Sequence, residues 1–178
     1  REALDLLDLL KPPLDRGQRL LAARRAASLG RAAQAVTHYA AAAKEGALAS
    51  SDRLRFGTAL GDIGRWPEAA AQFRGVTDPA LAGHAAYYGA RALLRSNDRN
   101  ATPALERTIR NFPRDTLAAS NALYLLGDLA LDRGAIDSAR TLFRRLVTRY
   151  PSSAQYTRSL ILSSLMAIEA GDPATAVH

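Results

Sequence analysis

The sequence predicts an all-α fold, an α–α superhelix of about five helix pairs. Three observations point to it. A small set of packing residues recurs at fixed offsets. The segments between them carry the 3.6-residue period of amphipathic helices. Prolines and capping residues punctuate the chain where one helix should give way to the next.

The recurrence is clearest read from Gly127: Gly127, Gly134, Ala139, Phe143 and Pro151. Thirty-eight residues earlier stand Gly89, Ser96, Ala101, Leu105 and Pro113. Gly57, Gly64, Ala69 and Phe73 repeat the offsets of 7, 5 and 4, and so do Ala23, Gly30, Ala35 and Tyr39. A last copy begins with Ser164, Gly171 and Ala176. The copies are spaced 34, 32, 38 and 37 residues apart, so loops and helix ends vary while packing positions stay in place. Ser96 is the expected turn residue of the third copy.

The helices follow in order. Arg1–Leu10 reads as an extra N-terminal helix ended by Lys11-Pro12-Pro13, its leucines expected to pack on the first repeat. The repeats then run over 16–49, 50–81, 82–119, 120–156 and an incomplete 157–178, with 1–15 as N-terminal helix and linker. In "LFRRLVTRY", Leu142, Phe143, Leu146, Val147 and Tyr150 form one stripe, with Arg140, Arg144, Arg145 and Arg149 largely opposite. That is an outer helix with one buried face. "NALYLLGDLALD" is apolar nearly all round and should lie between neighbours. Gly89 and Gly127 are expected to permit close helix approach, since a mid-helix Gly otherwise costs about 1 kcal/mol.

Capping agrees. Asp78-Pro79, Thr102-Pro103, Trp66-Pro67 and Asp172-Pro173 read as an N-cap followed by Pro at the first helical position. Asp115, Ser152 or Ser153, and a serine of "GALASSDR" are further expected caps. Phe112-Pro113 and Tyr150-Pro151 read as the ends of two outer helices.

This pattern of small residue, turn, Ala, large residue and closing Pro resembles the tetratricopeptide repeat (TPR) pattern. The usual first-helix Trp is missing throughout, the first unit lacks the closing Pro, and Pro79 comes two positions early. The resemblance implies a right-handed superhelix with a concave groove, lined by first helices, that holds a protein or peptide. By register the groove would present Leu20, Arg24, Leu54, Thr58, Asp62, Ala86, Ala90, Tyr124, Asp128, Arg158 and Ile161, with Asp132 one turn beyond Asp128. Tyr88 is expected to pack on the seam. The lysine-and-asparagine clamp by which some family members hold a C-terminal carboxylate is missing, which disfavours an acidic peptide tail.

The aromatic-proline punctuation further resembles bacterial cell-envelope members of the family, implying a periplasmic or envelope location. "AAYYGARALLRS" and "YLLGDLALDRG" resemble the non-catalytic helical region of soluble lytic transglycosylases, which would make the chain peptidoglycan-associated and place a catalytic domain outside it. No lysozyme-like segment or Glu-Ser motif occurs here.

Composition narrows the function classes. The 178 residues are 48% hydrophobic, enough for a sizeable core. No apolar run approaches the roughly 20 residues of a membrane span. The missing cysteine removes thiolate chemistry and Cys-type zinc sites. His38, His84 and His178 lack metal-pair spacing, and neither phosphate loop, nucleophile elbow nor dinucleotide fingerprint is present. Asp128 and Asp132, four apart, read as an acidic patch instead of an acid–base pair. No cofactor, metal or catalytic residue is therefore expected. The basic balance, 24 cations against 17 carboxylates, leaves nucleic acid as a lesser alternative, because the aromatics follow the core period and not the arginines. An incomplete C-terminal repeat would leave apolar surface on the helix from 157 to 170, open to self-association.

Overall fold

A computed structural model describes residues 14–171. The expected N-terminal helix, the Asp172-Pro173 cap and Ala176 lie outside the described residues. Among the described residues there are nine helices and no strand. They are α1 Arg16–Ser28, α2 Ala32–Lys44, α3 Ser50–Asp62, α4 Trp66–Arg74, α5 Pro79–Arg95, α6 Ala101–Asn111, α7 Thr116–Asp132, α8 Ile136–Arg149 and α9 Tyr156–Glu169. None is long and apolar enough to cross a membrane. The chain divides after Asp98 into two compact units, α1–α5 and α6–α9.

The same helix stop recurs five times. Gly30, Gly64, Gly134 and Gly171 have φ of 70°, 78°, 70° and 72°, and Asn97 has φ of 54°. Around the first four turns in sequence, an N–H reaches back five residues to a helix carbonyl: Arg31 to Ala26, Arg65 to Leu60, Asp98 to Leu93, and Ala135 to Ala130. These bonds satisfy carbonyls that a helix end otherwise leaves orphaned. The third turn corrects the sequence expectation. Ser96 still closes α5, and the left-handed residue is Asn97, one position later. Asparagine tolerates that conformation better than other side chains.

Packing follows the repeat. In unit one, Ala35, Tyr39, Ala69 and Phe73 are at most 5% exposed. In unit two, Leu105, Ala139, Phe143 and Leu146 are fully buried. A Cβ on Gly57 would lie 2.7 Å from the Phe73 ring, and one on Gly127 would lie 2.6 Å from the Phe143 ring. Each glycine is the seat of the aromatic sixteen residues on. Gly89 differs, since its Cβ would meet Phe73 Cβ at 3.4 Å, an ordinary contact. The expectation of a forced close approach therefore holds for Gly127 and not for Gly89. Helix α7 packs against both α6 and α8, as its all-round apolar sequence requires.

The caps divide. Asp78 accepts from Ala80 N at 2.9 Å, and Asp115 from Ala118 N at 2.9 Å, as expected. Helix α6 starts at Ala101, so Thr102-Pro103 falls inside its first turn, and Trp66-Pro67 likewise opens α4. Proline fits there because first-turn N–H groups have no helical partner. Ser152 and Ser153 sit in a turn, Ser153 N donating to Tyr150 O at 3.0 Å, and α9 begins only at Tyr156. Ser50 is the first residue of α3 instead of its cap. Its Oγ accepts from Thr77 N and Asp78 N, both at 3.1 Å, and so ties down the α4–α5 loop.

The two aromatic-proline pairs end α6 and α8, with Phe112 and Tyr150 as C-caps. They also meet: Tyr150 Oη donates to Pro113 O at 3.0 Å. The second pair thus braces the first across the hairpin of α7 and α8.

Candidate functional site

In unit one the first helices α1, α3 and α5 lie side by side, α3 touching both neighbours. Between them is a cleft of about 360 Å³ lined by Arg24, Leu54, Arg55, Thr58, Asp62, His84 and Tyr88, among others. Four residues picked from sequence, Arg24, Leu54, Thr58 and Asp62, come together here. Leu54 is half-buried; Arg24, Thr58 and Asp62 are exposed.

Sequence reading missed the group that holds this cleft in shape. Asp52, in the first turn of α3, is 1% exposed and favourably placed near the positive end of the helix dipole. Arg24 clasps it with both arms, Nε to Oδ1 at 2.8 Å and Nη2 to Oδ2 at 2.7 Å. Arg55 adds a longer contact, Nη1 to Oδ1 at 3.9 Å. The Arg24 hydrogen bonds hold the Asp52 carboxyl below the usual carboxylate range, against the opposing effect of burial. Asp52 in turn raises the Arg24 guanidinium. Beneath the pair, Tyr39 packs on Phe56, ring centroids 5.5 Å apart. Burial first, then the Asp52 charge, push the Tyr39 phenol up to about 12. A partner 28 residues away leaves no periodic trace, so the pair was invisible to motif reading. The first turn, Ser50-Ser51-Asp52-Arg53, is polar throughout and gives no sign that its carboxylate is buried.

The remaining candidates sit in unit two. Tyr124 is 8% exposed and packs on Phe143 at 5.7 Å between centroids. The Arg158 guanidinium lies over its ring at 5.4 Å, joining α9 to α7. Burial, then the Asp128 charge, raise the Tyr124 phenol. Asp128 is half-buried beside it, and Asp132 is exposed at the end of α7. Tyr124 therefore presents little ring surface, and Arg158 covers part of what it has. Of the other groove positions, Ala90 is 1% exposed and Ile161 is 54% exposed. Tyr88 is half-buried and stacks on Phe73 at 5.8 Å.

Among the described residues no group of three or more His, Asp or Glu could hold a metal ion. The cleft offers cations, a carboxylate, a hydroxyl and apolar walls, the requirements of recognition.

Residues 90–154 match the tetratricopeptide repeat family model. No curated protein matches the sequence. Among solved structures, a crystal structure of MamA superposes with a TM-score of 0.68 at 18% identity, over 91% of this chain and 86% of that one. MamA from Desulfovibrio magneticus RS-1, residue 41 to its end, gives 0.67 at 20% identity, over 90% and 88%. YrrB, described as a TPR protein with an unusual peptide-binding site, gives 0.62 at 17% identity, over 92% and 81%. The fold is that of tetratricopeptide proteins, as the recurrent spacings implied.

Proposed function

We propose that the protein is a non-catalytic interaction scaffold whose first-helix cleft in unit one holds a segment of a protein partner. The Arg24–Asp52 clasp carries this reading. It fixes one cation at the rim of the cleft while Arg55, Thr58 and Asp62 stay exposed beside it. A rigid rim with mixed polarity suits a peptide that is bound by several weak contacts, each oriented in advance. The described peptide-binding site of YrrB supports the same class of ligand by likeness of fold.

Tyr124, Asp128, Asp132 and Arg158 would be binding residues of unit two in their own right. Placement in a bacterial cell envelope belongs to the same reading and rests on the aromatic-proline punctuation. Self-association through α9 belongs to it too, since Ile161, Leu165 and Ile168 are 54%, 53% and 58% exposed along one stripe.

A photocrosslinking side chain placed at Thr58 in the native host tests the cleft. We expect it to capture a discrete protein, while the same group at Arg74, on the outside of α4, captures none. Arg24→Ala should weaken the Thr58 adduct several-fold. Equal capture at both positions, or none at Thr58, would overturn the reading.

A further inference from the structure

The second helices of unit two carry a cleft of their own. It measures about 640 Å³ and lies between α6 and α8, with α7 as its floor. Sequence reading set Arg145 on the face of its helix opposite the buried stripe and saw no site there.

The floor is aliphatic, with Leu126 nearly buried and Leu129 and Leu142 half-buried. The rim is cationic. Arg110, Arg133 and Arg145 stand around it, all exposed. None has a hydrogen-bond or ion-pair partner among the described residues. Glu106 is the one carboxylate in the lining, and it pairs with none of them. The imbalance extends along the walls, where α6 and α8 together carry six arginines against two carboxylates. Three uncompensated guanidiniums around an apolar floor produce a positive potential, focused where desolvation of a ligand would be greatest.

We propose that this cleft is a second docking site, for a protein segment that sets large aliphatic or aromatic side chains between carboxylates. The carboxylates meet Arg110, Arg133 and Arg145, and the apolar side chains cover Leu126, Leu129 and Leu142. Charge complementarity selects an acidic segment. The floor selects protein over nucleic acid, because no aromatic side chain lines the cleft to stack successive bases on. The site is separate from the first-helix cleft of unit one and does not depend on it.

A random-peptide display selection on the purified chain tests the proposal, run beside the triple variant Arg110→Glu, Arg133→Glu, Arg145→Glu. Circular dichroism and thermal melting confirm that the variant folds, as exposed positions should allow. The wild type is expected to enrich sequences pairing Leu, Ile or Phe with Asp or Glu. A synthetic copy of an enriched peptide should bind the charge-reversed chain at least 10-fold more weakly. It should also bind Leu142→Ser more weakly, and lose affinity as salt rises. Enrichment without acidic bias would overturn the proposal. So would equal binding to the triple variant, or single-stranded oligonucleotide binding through the three arginines with no peptide enriched.

Discussion

Asp52 is where one residue governs the most local structure. Its side chain is 2% exposed, and Arg24, at 48%, is its main partner. Arg24→Ala would leave a carboxylate buried with only the distant Arg55. The cost of stranding a buried charge is several kcal/mol, and the exposed half of the pair reduces it to about 2 kcal/mol here. Urea unfolding followed through Trp66, the chain's single Trp, reads that loss within the same unit. Asp52→Asn combined with Arg24→Ala should recover most of it, since the stranded charge is then gone. The pH dependence has a defined sign. Asp52 titrates lower when folded than when unfolded, so its contribution is fully present above about pH 4, the unfolded value. It disappears as pH falls through the lower, folded value. Asp52→Asn should therefore flatten the acid limb of a melting-temperature profile; an unchanged limb would show that other carboxylates set it. Tyr39 works from the other end. Its phenol, raised to about 12, adds stability that is complete below pH 10 and lost as pH climbs towards 12. Arg24 and Tyr39 were legible as groove and packing positions, but the clasp was not, because Asp52 is none of the recurring packing positions.

At the scale of elements, the repeat was legible because its contacts are made more than once. In the α3–α4 and α7–α8 hairpins a glycine on the first helix seats an aromatic ring on the second, and a left-handed glycine turns the chain between them. Where the signal failed, the physics was local. Asn97 could take the left-handed turn one position late, so Ser96 occupied the expected slot without the expected role. Proline is as acceptable two or three residues into a helix as at its first position, so Trp66-Pro67 and Thr102-Pro103 marked helix starts only to within a turn. The glycine seats give a paired prediction. Gly127→Ala drives a methyl to 2.6 Å from Phe143 and should destabilise by about 1–3 kcal/mol despite its better helix propensity. Gly89→Ala, at 3.4 Å from Phe73 Cβ, should be neutral or stabilise by up to about 1 kcal/mol. Adding Phe143→Leu to Gly127→Ala should relieve the clash in part. Denaturant midpoints of the four proteins decide it, and equal effects at Gly89 and Gly127 would mean that the two seats are alike. At α9 the prediction concerns surface instead of core. Leu165→Glu should reduce concentration-dependent association in sedimentation velocity while leaving the melting temperature within a degree or two, because Leu165 is 53% exposed.

At the scale of the whole molecule, a repeat array holds its stability in local sums, each hairpin contributing its own core and the interfaces with its neighbours. The two units are well placed to reveal this. Trp66 lies in α4 and reports on unit one alone, whereas far-ultraviolet circular dichroism reports on helices of both. Phe143 lies in unit two, fully buried against the bare backbone of Gly127. Truncating it removes a buried aromatic, and Phe143→Ala should cost about 3–5 kcal/mol. If that loss stays near its source, the two probes must part company. The circular dichroism transition in guanidinium should begin earlier and broaden, because α6 to α9 melt first. The Trp66 transition should move by less, because the contacts around Ala69, Ala70 and Phe73 are untouched. Coincident shifts of equal size would mean instead that the chain unfolds as one cooperative body. In that case a peptide bound in the unit-one cleft would stabilise every helix alike, whereas with local stability it would protect the Trp66 signal first.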